Sequence, residues 1–267
     1  METQFTRHKR TRGHVRLART EFGGTGDPVL LLHGLAGYAG EWSETAASLR
    51  RERRVLAPDQ RGHGDSERTP DDLSRDAYVL DAAMWIEALV GGPANVIGQS
   101  QGGHTAFLLA ARRPDLVASL VVAEASPESD PEAASKVSAW LRKWQIPFPS
   151  EIAAIEFFGG AAVGETWARG LERRGGEFWP RFDPAVMLAS LRESQASYWD
   201  EWARIQCPVL LVRGDHGMSA GRSADMMTSL PHSRECVVAH AGHNVHLEQP
   251  EAWCTAIRRF LAVGPRS

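Results

Sequence analysis

One stretch constrains the fold more than any other in this chain. A short apolar run enters Gly98-Gln99-Ser100-Gln101-Gly102, and an alanine-rich segment follows at once. A serine between a strand and a helix takes a strained backbone conformation, and its hydroxyl projects beyond the sheet edge. Glycine two residues before and after Ser100 removes Cβ atoms that would collide in so tight a turn. The stretch predicts a reactive serine at position 100, with Gln99 and Gln101 either contacting a bound molecule or filling exposed surface.

Apolar strands alternate with helical patterns along most of the chain. Short continuous apolar runs are typical of strands buried on both faces of a parallel sheet. They are found at Val29–Leu32, Arg54–Pro58, Asn95–Ile97, Leu116–Ala123 and Pro208–Val212. The pattern predicts the α/β class, with a mostly parallel sheet of about eight strands and helices on both faces. Gly13 to Thr20 is interpreted as an edge strand, and the basic run Arg7–Arg10 as the solvated start of a strand.

The alternation stops between residues 126 and 203. This segment holds six of the nine tryptophans and shows no good strand pattern. We predict a helical cap, residues 126–203, inserted after the sixth strand of a core domain formed by residues 1–125 and 204–267. Most of its tryptophans are expected to form the core of the cap, and a minority to line an apolar pocket over the serine.

Four motifs in a fixed order connect the chain to a known family. They follow the third strand, the fourth strand, the strand before Ser100 and the last strand. The motifs are His33-Gly34, Asp59-x-Arg61-Gly62-x-Gly64-x-Ser66, Gly98-x-Ser100-x-Gly102-Gly103 and Gly242-His243-x-x-His246-Leu247-Glu248-x-Pro250. Each is modest alone, but their order and spacing are specific. Over essentially its full length the chain resembles the α/β-hydrolase family, in which the serine stands on a nucleophile elbow.

The resemblance implies a role for each of several residues. Ser100 would be the nucleophile and His243 the general base, because a serine hydroxyl attacks poorly until an imidazole takes its proton. The backbone N–H groups of Leu35 and Gln101 would form the oxyanion hole. His33 would orient the oxyanion loop by hydrogen bonds.

The third member of the triad is where the sequence departs from the family. The usual acid stands three residues after the position of Gly214, but this chain has Gly217 there. Asp215 is the nearest carboxylate, and an aspartate after glycine is also a common turn former. Some family members place the acid after the preceding strand, where this chain has Glu124. A lone charge at the end of an apolar strand is unfavourable unless paired, and Glu124 could also bind substrate. The sequence leaves both carboxylates open.

The resemblance implies a serine hydrolase that cleaves an ester, thioester or lactone of a small hydrophobic molecule. Related folds also perform carbon–carbon hydrolysis, perhydrolysis or cofactor-free oxygenation, and a non-catalytic ligand-binding member is a third possibility. Fold alone does not choose among these.

Composition bounds the partners. A net charge of −3 implies no bulk attraction to nucleic acid or a membrane. Cys207, Cys236 and Cys254 show no paired or metal-like spacing, so we expect no metal, and the resemblance implies no organic cofactor. Met1 to Arg19 has no apolar segment of the kind that a signal peptide requires, and we expect a cytoplasmic protein. Nothing in the sequence indicates the oligomeric state.

Overall fold

The computed structural model of the chain describes residues 5–89 and 92–262. The outer limits of the predicted core domain, residues 1 and 267, lie outside these ranges. The strands are β1 (Thr6–Arg12), β2 (Val15–Gly23), β3 (Pro28–Leu32), β4 (Arg54–Asp59), β5 (Ala94–Gln99), β6 (Val117–Ala123), β7 (Glu172–Arg174), β8 (Glu177–Trp179), β9 (Val209–Gly214) and β10 (Arg234–Val238). The helices are α1 (Ser43–Leu49), α2 (Arg75–Glu87), α3 (Gln101–Arg112), α4 (Pro131–Arg142), α5 (Glu151–Phe157), α6 (Ala161–Arg169), α7 (Pro184–Glu193), α8 (Trp199–Trp202), α9 (Ala220–Ser229), α10 (Val245–Glu248) and α11 (Pro250–Ala262).

Eight strands form one sheet in the order β1-β2-β4-β3-β5-β6-β9-β10. β2 runs antiparallel to β1 and β4, and the other neighbours are parallel. The predicted mostly parallel sheet of about eight strands is confirmed. The prediction of an edge strand at Gly13–Thr20 is wrong, because β1 lies outside β2. The exposed basic residues of β1 suit an edge position, since charged side chains there discourage pairing with another chain.

The middle strands are apolar along their length because both faces are covered. Leu30 and Leu32 of β3 pack with α2 and α3, whereas Val29 and Leu31 pack with α1 and α11. All four side chains are at most 1% exposed. Burying an aliphatic side chain of this size contributes roughly 1.5–3 kcal/mol of transfer free energy, so the two helical layers hold the carboxyl ends of the strands in place.

The insertion, residues 126–203, contains α4 to α8 and one feature that the sequence pattern missed. β7 and β8 pair as an antiparallel hairpin, so the prediction that this segment lacks strands is wrong. Gly175 and Gly176 form the turn with φ of +58° and +95°, which suits a two-residue hairpin turn. Strands of three residues are too short to show a period of two in the sequence.

Five of the six tryptophans of the insertion divide between two cores. Trp144 lies at the centre of the insertion's own aromatic cluster, with its ring 4.8 Å from those of Phe158 and Phe182. Trp199 and Trp202 instead pack against the main core, where the Trp202 indole N–H donates to the Met226 carbonyl. The short helix α8 that carries them thus returns the chain to the sheet. No helix in the two described ranges has the length and apolar character to cross a bilayer.

Candidate active site

Ser100 stands on the turn between β5 and α3, with φ 51° and ψ −120°. A Cβ added at Gly98 would lie 2.2 Å from the carbonyl oxygen of Gly102, and one added at Gly102 would lie 2.0 Å from that of Leu32. Any side chain at either position would therefore collide with backbone. A non-glycine residue in this conformation costs about 1–3 kcal/mol, and such strain persists only where the surroundings enforce it.

Two backbone N–H groups flank the serine. Gly34 packs against it so closely that an added Cβ would lie 3.3 Å from the Ser100 Cβ. Leu35 follows Gly34, and Gln101 is the first residue of α3. Within the described part of the chain, neither the Leu35 nor the Gln101 amide donates a hydrogen bond to the backbone. Both amides are therefore unengaged by the described backbone.

Two buried histidines hold the loop that carries Leu35. Nε2 of His33 accepts from the Gln60 N–H at 2.9 Å, so Nδ1 carries the proton and donates to the Gly34 carbonyl at 2.8 Å. Nε2 of His63 accepts from the Ala36 N–H at 3.1 Å. Burial and the neighbouring His33 lower the pKa of His63 to about 3, so its ring is neutral. These are the contacts expected of His33 as a loop-orienting residue.

Glu124 lies beside the ring of His243. Its Oε2 is 3.5 Å from His243 Nδ1. The Gly214 N–H donates to Oε1 and the Met218 N–H to Oε2, both at 2.8 Å. Glu124 directly follows β6 and has φ 52°, and its side chain is only 2% exposed. The charge at the end of this apolar strand is therefore compensated by two amides and the imidazole, which leaves His243 Nε2 free to face another group.

Asp215 takes a different position. Its Oδ1 accepts from the Ala241 N–H at 3.1 Å, and Nε2 of His216 lies 3.8 Å from the same oxygen. Within the described ranges it forms no contact under 4.0 Å with the His243 ring. A backbone hydrogen bond from His240, followed by one from Ala241, lowers the pKa of Asp215. Both hydrogen bonds come from the loop after β10, so Asp215 connects the loop after β9 to that loop.

The position at which the family usually carries its acid is physically filled. A Cβ added at Gly217 would lie 2.1 Å from Oε1 of Glu124. The Glu124 carboxylate thus occupies the volume into which a side chain at residue 217 would extend.

The loop that carries His243 is tied at three points. The Gln99 amide donates to the His243 carbonyl at 2.8 Å. Glu248 accepts from the N–H groups on either side, those of Gly242 at 2.6 Å and Asn244 at 2.9 Å. Glu248 belongs to the last of the four motifs, but the motif alone indicates no role for it. Its position five residues after His243 is the signal that could have suggested a side chain holding this loop.

Of the two interpretations given for Gln99 and Gln101, the one in which they fill exposed surface is wrong. Gln99 is 2% exposed and Gln101 is 9% exposed. The Gln101 side chain donates to Oγ of Ser190 on α7 at 3.0 Å, and the same oxygen accepts from Arg75 at 2.9 Å. This hydroxyl therefore links the insertion to the residue directly after the serine.

A cavity of about 510 Å³ opens beside Ser100, and His243 and Leu35 also line it. The insertion supplies its apolar wall, formed by Val137, Trp140, Phe157, Phe158, Val163 and Trp167. Its polar wall is formed by Glu41, Gln99, Lys136 and Asn244. This volume suits a small organic molecule, whose orientation a few polar groups would set. As predicted, a minority of the insertion's tryptophans line the pocket.

Comparisons with known proteins agree with this geometry. The family model described as the alpha/beta hydrolase family matches residues 29–256. The chain belongs to the α/β-hydrolase family.

Several relatives have assigned activities. The chain is 27% identical over 250 residues to the sn-1-specific diacylglycerol lipase ABHD11 of Mus musculus, covering 88% of this chain and 80% of that one. It is 27% identical over 248 residues to the 2-(acetamidomethylene)succinate hydrolase of Mesorhizobium japonicum, covering 89% of each. A crystal structure of E-2-(acetamidomethylene)succinate hydrolase superposes with a TM-score of 0.91 at 26% identity, over 97% of this chain and all of that one. The structure of a malate-bound thermophilic esterase from Thermogutta terrifontis superposes with a TM-score of 0.77 at 27% identity, over 97% of this chain and 98% of that one. This chain is a hydrolase of the same family.

Proposed function

We propose that this protein is a serine hydrolase that cleaves an ester, thioester or lactone of a small, largely hydrophobic molecule. The contact between His243 and Glu124, at the edge of a cavity that Ser100 also lines, carries the proposal. A neutral imidazole held through Nδ1 by a carboxylate presents Nε2 as a base, which a serine nucleophile requires.

The proposed reaction is acyl transfer in two steps. Nε2 of His243 takes the hydroxyl proton while Oγ of Ser100 attacks the carbonyl carbon. The Leu35 and Gln101 N–H groups stabilise the oxyanion, and Glu124 stabilises the imidazolium that forms. The imidazolium then protonates the leaving alcohol, thiol or lactone oxygen as its bond to carbon breaks. Water, deprotonated by His243, releases the acid and restores Ser100.

Glu124 is proposed as the third member of the triad, and Asp215 is assigned to the turn. Glu124 is buried and faces His243, whereas Asp215 accepts a hydrogen bond from the Ala241 N–H in the loop after β10. A buried carboxylate interacts more strongly with an imidazolium than an exposed one does, because water screens it less.

Residues 126–203 are proposed to act as a cap domain over a core of residues 1–125 and 204–267. Their aromatic wall faces Ser100 across the cavity. Such a wall favours an apolar acyl or alcohol group, and closure of the cap would exclude water from the acyl-enzyme.

The test is intact-protein mass spectrometry after treatment with a fluorophosphonate. We expect one adduct on the wild type, mapped to Ser100, and none on Ser100→Ala. Glu124→Gln should label slowly and Asp215→Asn at the wild-type rate. A folded wild type without an adduct would reject acyl transfer in favour of the ligand-binding or oxygenase alternatives. A panel of esters, thioesters and lactones then identifies the bond that is cleaved.

A further inference from the structure

Glu41 is a buried carboxylate in the wall of the cavity that Ser100 lines. It belongs to the short 3-10 helix Ala39–Trp42, which follows the loop with Leu35. Its side chain is 3% exposed, and it takes no part in the acyl-transfer steps described above. A carboxylate withdrawn from water is unfavourable unless other groups compensate its charge, so its contacts matter.

The contacts of this carboxylate are few and long. Oε2 accepts from the Tyr38 N–H at 3.4 Å, and Oε1 lies 3.4 Å from Nε2 of His246. Across residues 5–89 and 92–262, no arginine or lysine lies within 4.0 Å of it. Charge-assisted hydrogen bonds are normally 2.7–2.9 Å long, and a carboxylate has about four acceptor sites. Much of the acceptor capacity of Glu41 is therefore unused.

The unused capacity is accessible from the cavity. Oε1 accepts no hydrogen bond from the described residues, yet it is not among the side-chain atoms sealed from solvent. Both ring nitrogens of His246, by contrast, are sealed and lack a hydrogen-bond partner there, and the ring stacks on Trp42 at 4.4 Å. The packed imidazole fixes one side of the carboxylate and leaves the other to a bound molecule.

Gln99 and Lys136, which also line the cavity, do not offer the same chemistry. The Gln99 amide donates to the His243 carbonyl. Lys136 is 75% exposed on α4 and pairs with Glu132 at 2.7 Å. Glu41 is thus the buried carboxyl group of the described cavity wall, and in its ionised form it only accepts hydrogen bonds.

We propose that Glu41 is a specificity residue that accepts a hydrogen bond from an O–H or N–H group of the substrate. The proposal rests on the proposed function and adds a substrate class to it: acyl compounds that carry a hydroxyl or amino group near the carbonyl. A substrate carboxylate at the same place meets a like charge and is disfavoured.

Matched methyl esters test the proposal. Methyl 2-hydroxybutanoate and methyl 3-hydroxybutanoate supply the donor, methyl butanoate lacks it, and monomethyl succinate carries a carboxylate. We expect the wild type to hydrolyse the better hydroxy ester with a kcat/KM roughly tenfold above that of methyl butanoate, because hydrogen bonds to charged groups are the stronger ones. Monomethyl succinate should be the poorest of the four.

Two variants at one position separate charge from shape. In Glu41→Leu the hydroxy ester should lose its advantage. Glu41→Gln keeps a neutral acceptor and nearly the same volume. In this variant part of the advantage of the hydroxy ester should remain, and the kcat/KM for monomethyl succinate should rise several-fold. Circular dichroism confirms that each variant is folded. The proposal is overturned if the ratio of kcat/KM for the hydroxy ester to kcat/KM for methyl butanoate is the same in the wild type and in Glu41→Leu.

Binding to Ser100→Ala separates this proposal from the proposed function. Calorimetry on that variant measures affinity for the same esters without turnover, and tighter binding of a hydroxy ester that is lost on adding Glu41→Leu supports the role of Glu41 directly. Fluorophosphonate labelling of Ser100 together with equal affinities would leave the hydrolase standing and reject the specificity residue. Tighter binding of a hydroxy ester without labelling of Ser100 would support the specificity residue and reject the hydrolase.

Discussion

Replacing Glu124 by glutamine removes one charge from the His243 contact while nearly preserving the volume of the side chain. Unit charges 3.5 Å apart in an effective dielectric of about 20 attract each other with about 5 kcal/mol. That attraction develops as the imidazolium forms in the proposed proton transfer. Its loss predicts a rate about 10³-fold lower, since each 1.36 kcal/mol changes a rate about tenfold.

The amide also disturbs the hydrogen bonds of the site. The Glu124 carboxylate accepts from two N–H groups and faces Nδ1 of His243. A glutamine presents one oxygen and one NH₂ group, so at least one donor must face another donor. We expect Glu124→Gln to lose about 1.5–3 kcal/mol of unfolding free energy in urea, in the range for a hydrogen bond to a charged group.

The assay is the rate of fluorophosphonate labelling, followed by mass spectrometry beside wild type and Asp215→Asn. Asp215 makes no contact with His243 in the described chain, so its amide variant serves as a matched control. Slow labelling of Asp215→Asn together with fast labelling of a folded Glu124→Gln variant would refute the assignment of Glu124 as the acid. It would also show that the loop of Asp215 rearranges when a ligand binds.

Three further predictions concern stability. Gly102→Ala places a methyl group 2.0 Å from a carbonyl oxygen of β3, so we expect a loss above about 3 kcal/mol in urea unfolding or no folded protein, whereas a wild-type midpoint would contradict the steric argument. Ser190→Ala removes the acceptor shared by Gln101 and Arg75; it should destabilise by about 1–3 kcal/mol, measured by thermal and urea unfolding, and Ser190→Thr, which restores the hydroxyl, should recover part of this loss. Burial, with Arg75 next in effect, lowers the pKa of His104 to about 3. Its neutral ring therefore stabilises the fold fully above about pH 6.5, and this contribution declines by about 1.4 kcal/mol per pH unit as the pH falls from there towards 3. His104→Phe, which suits its aromatic neighbours, should flatten the profile of unfolding free energy between pH 7 and 5; an unchanged slope would contradict the buried neutral ring.

The parts of the site that follow from local sterics could be predicted from the sequence. Gly98 and Gly102 lack the Cβ atoms that would collide within this turn. Five consecutive residues are therefore enough to predict the conformation of Ser100. The buried strands could also be predicted from the sequence, because both faces of β3 require apolar side chains.

The remaining features depend on contacts between distant segments. Glu124 reaches His243 because its left-handed backbone follows β6 directly and because the N–H groups of Gly214 and Met218 donate to its oxygens. Neither fact leaves a pattern in the sequence. The proposed role of Glu41 depends in the same way on a cavity that residues of the insertion also line. The β7–β8 hairpin was missed for a different reason, since its strands are shorter than any recognisable period.

The contact between Gly217 and Glu124 has a consequence for how such a site can evolve. A carboxylate carried by residue 217 and the carboxylate of Glu124 require the same space, so the chain can hold only one of them. An acid introduced at residue 217 first is crowded out, and removal of Glu124 first leaves His243 without its partner. Exchange between the two arrangements therefore requires paired substitutions. Across descendants of a common ancestor, the two positions should change together, with glycine at one wherever the acid stands at the other.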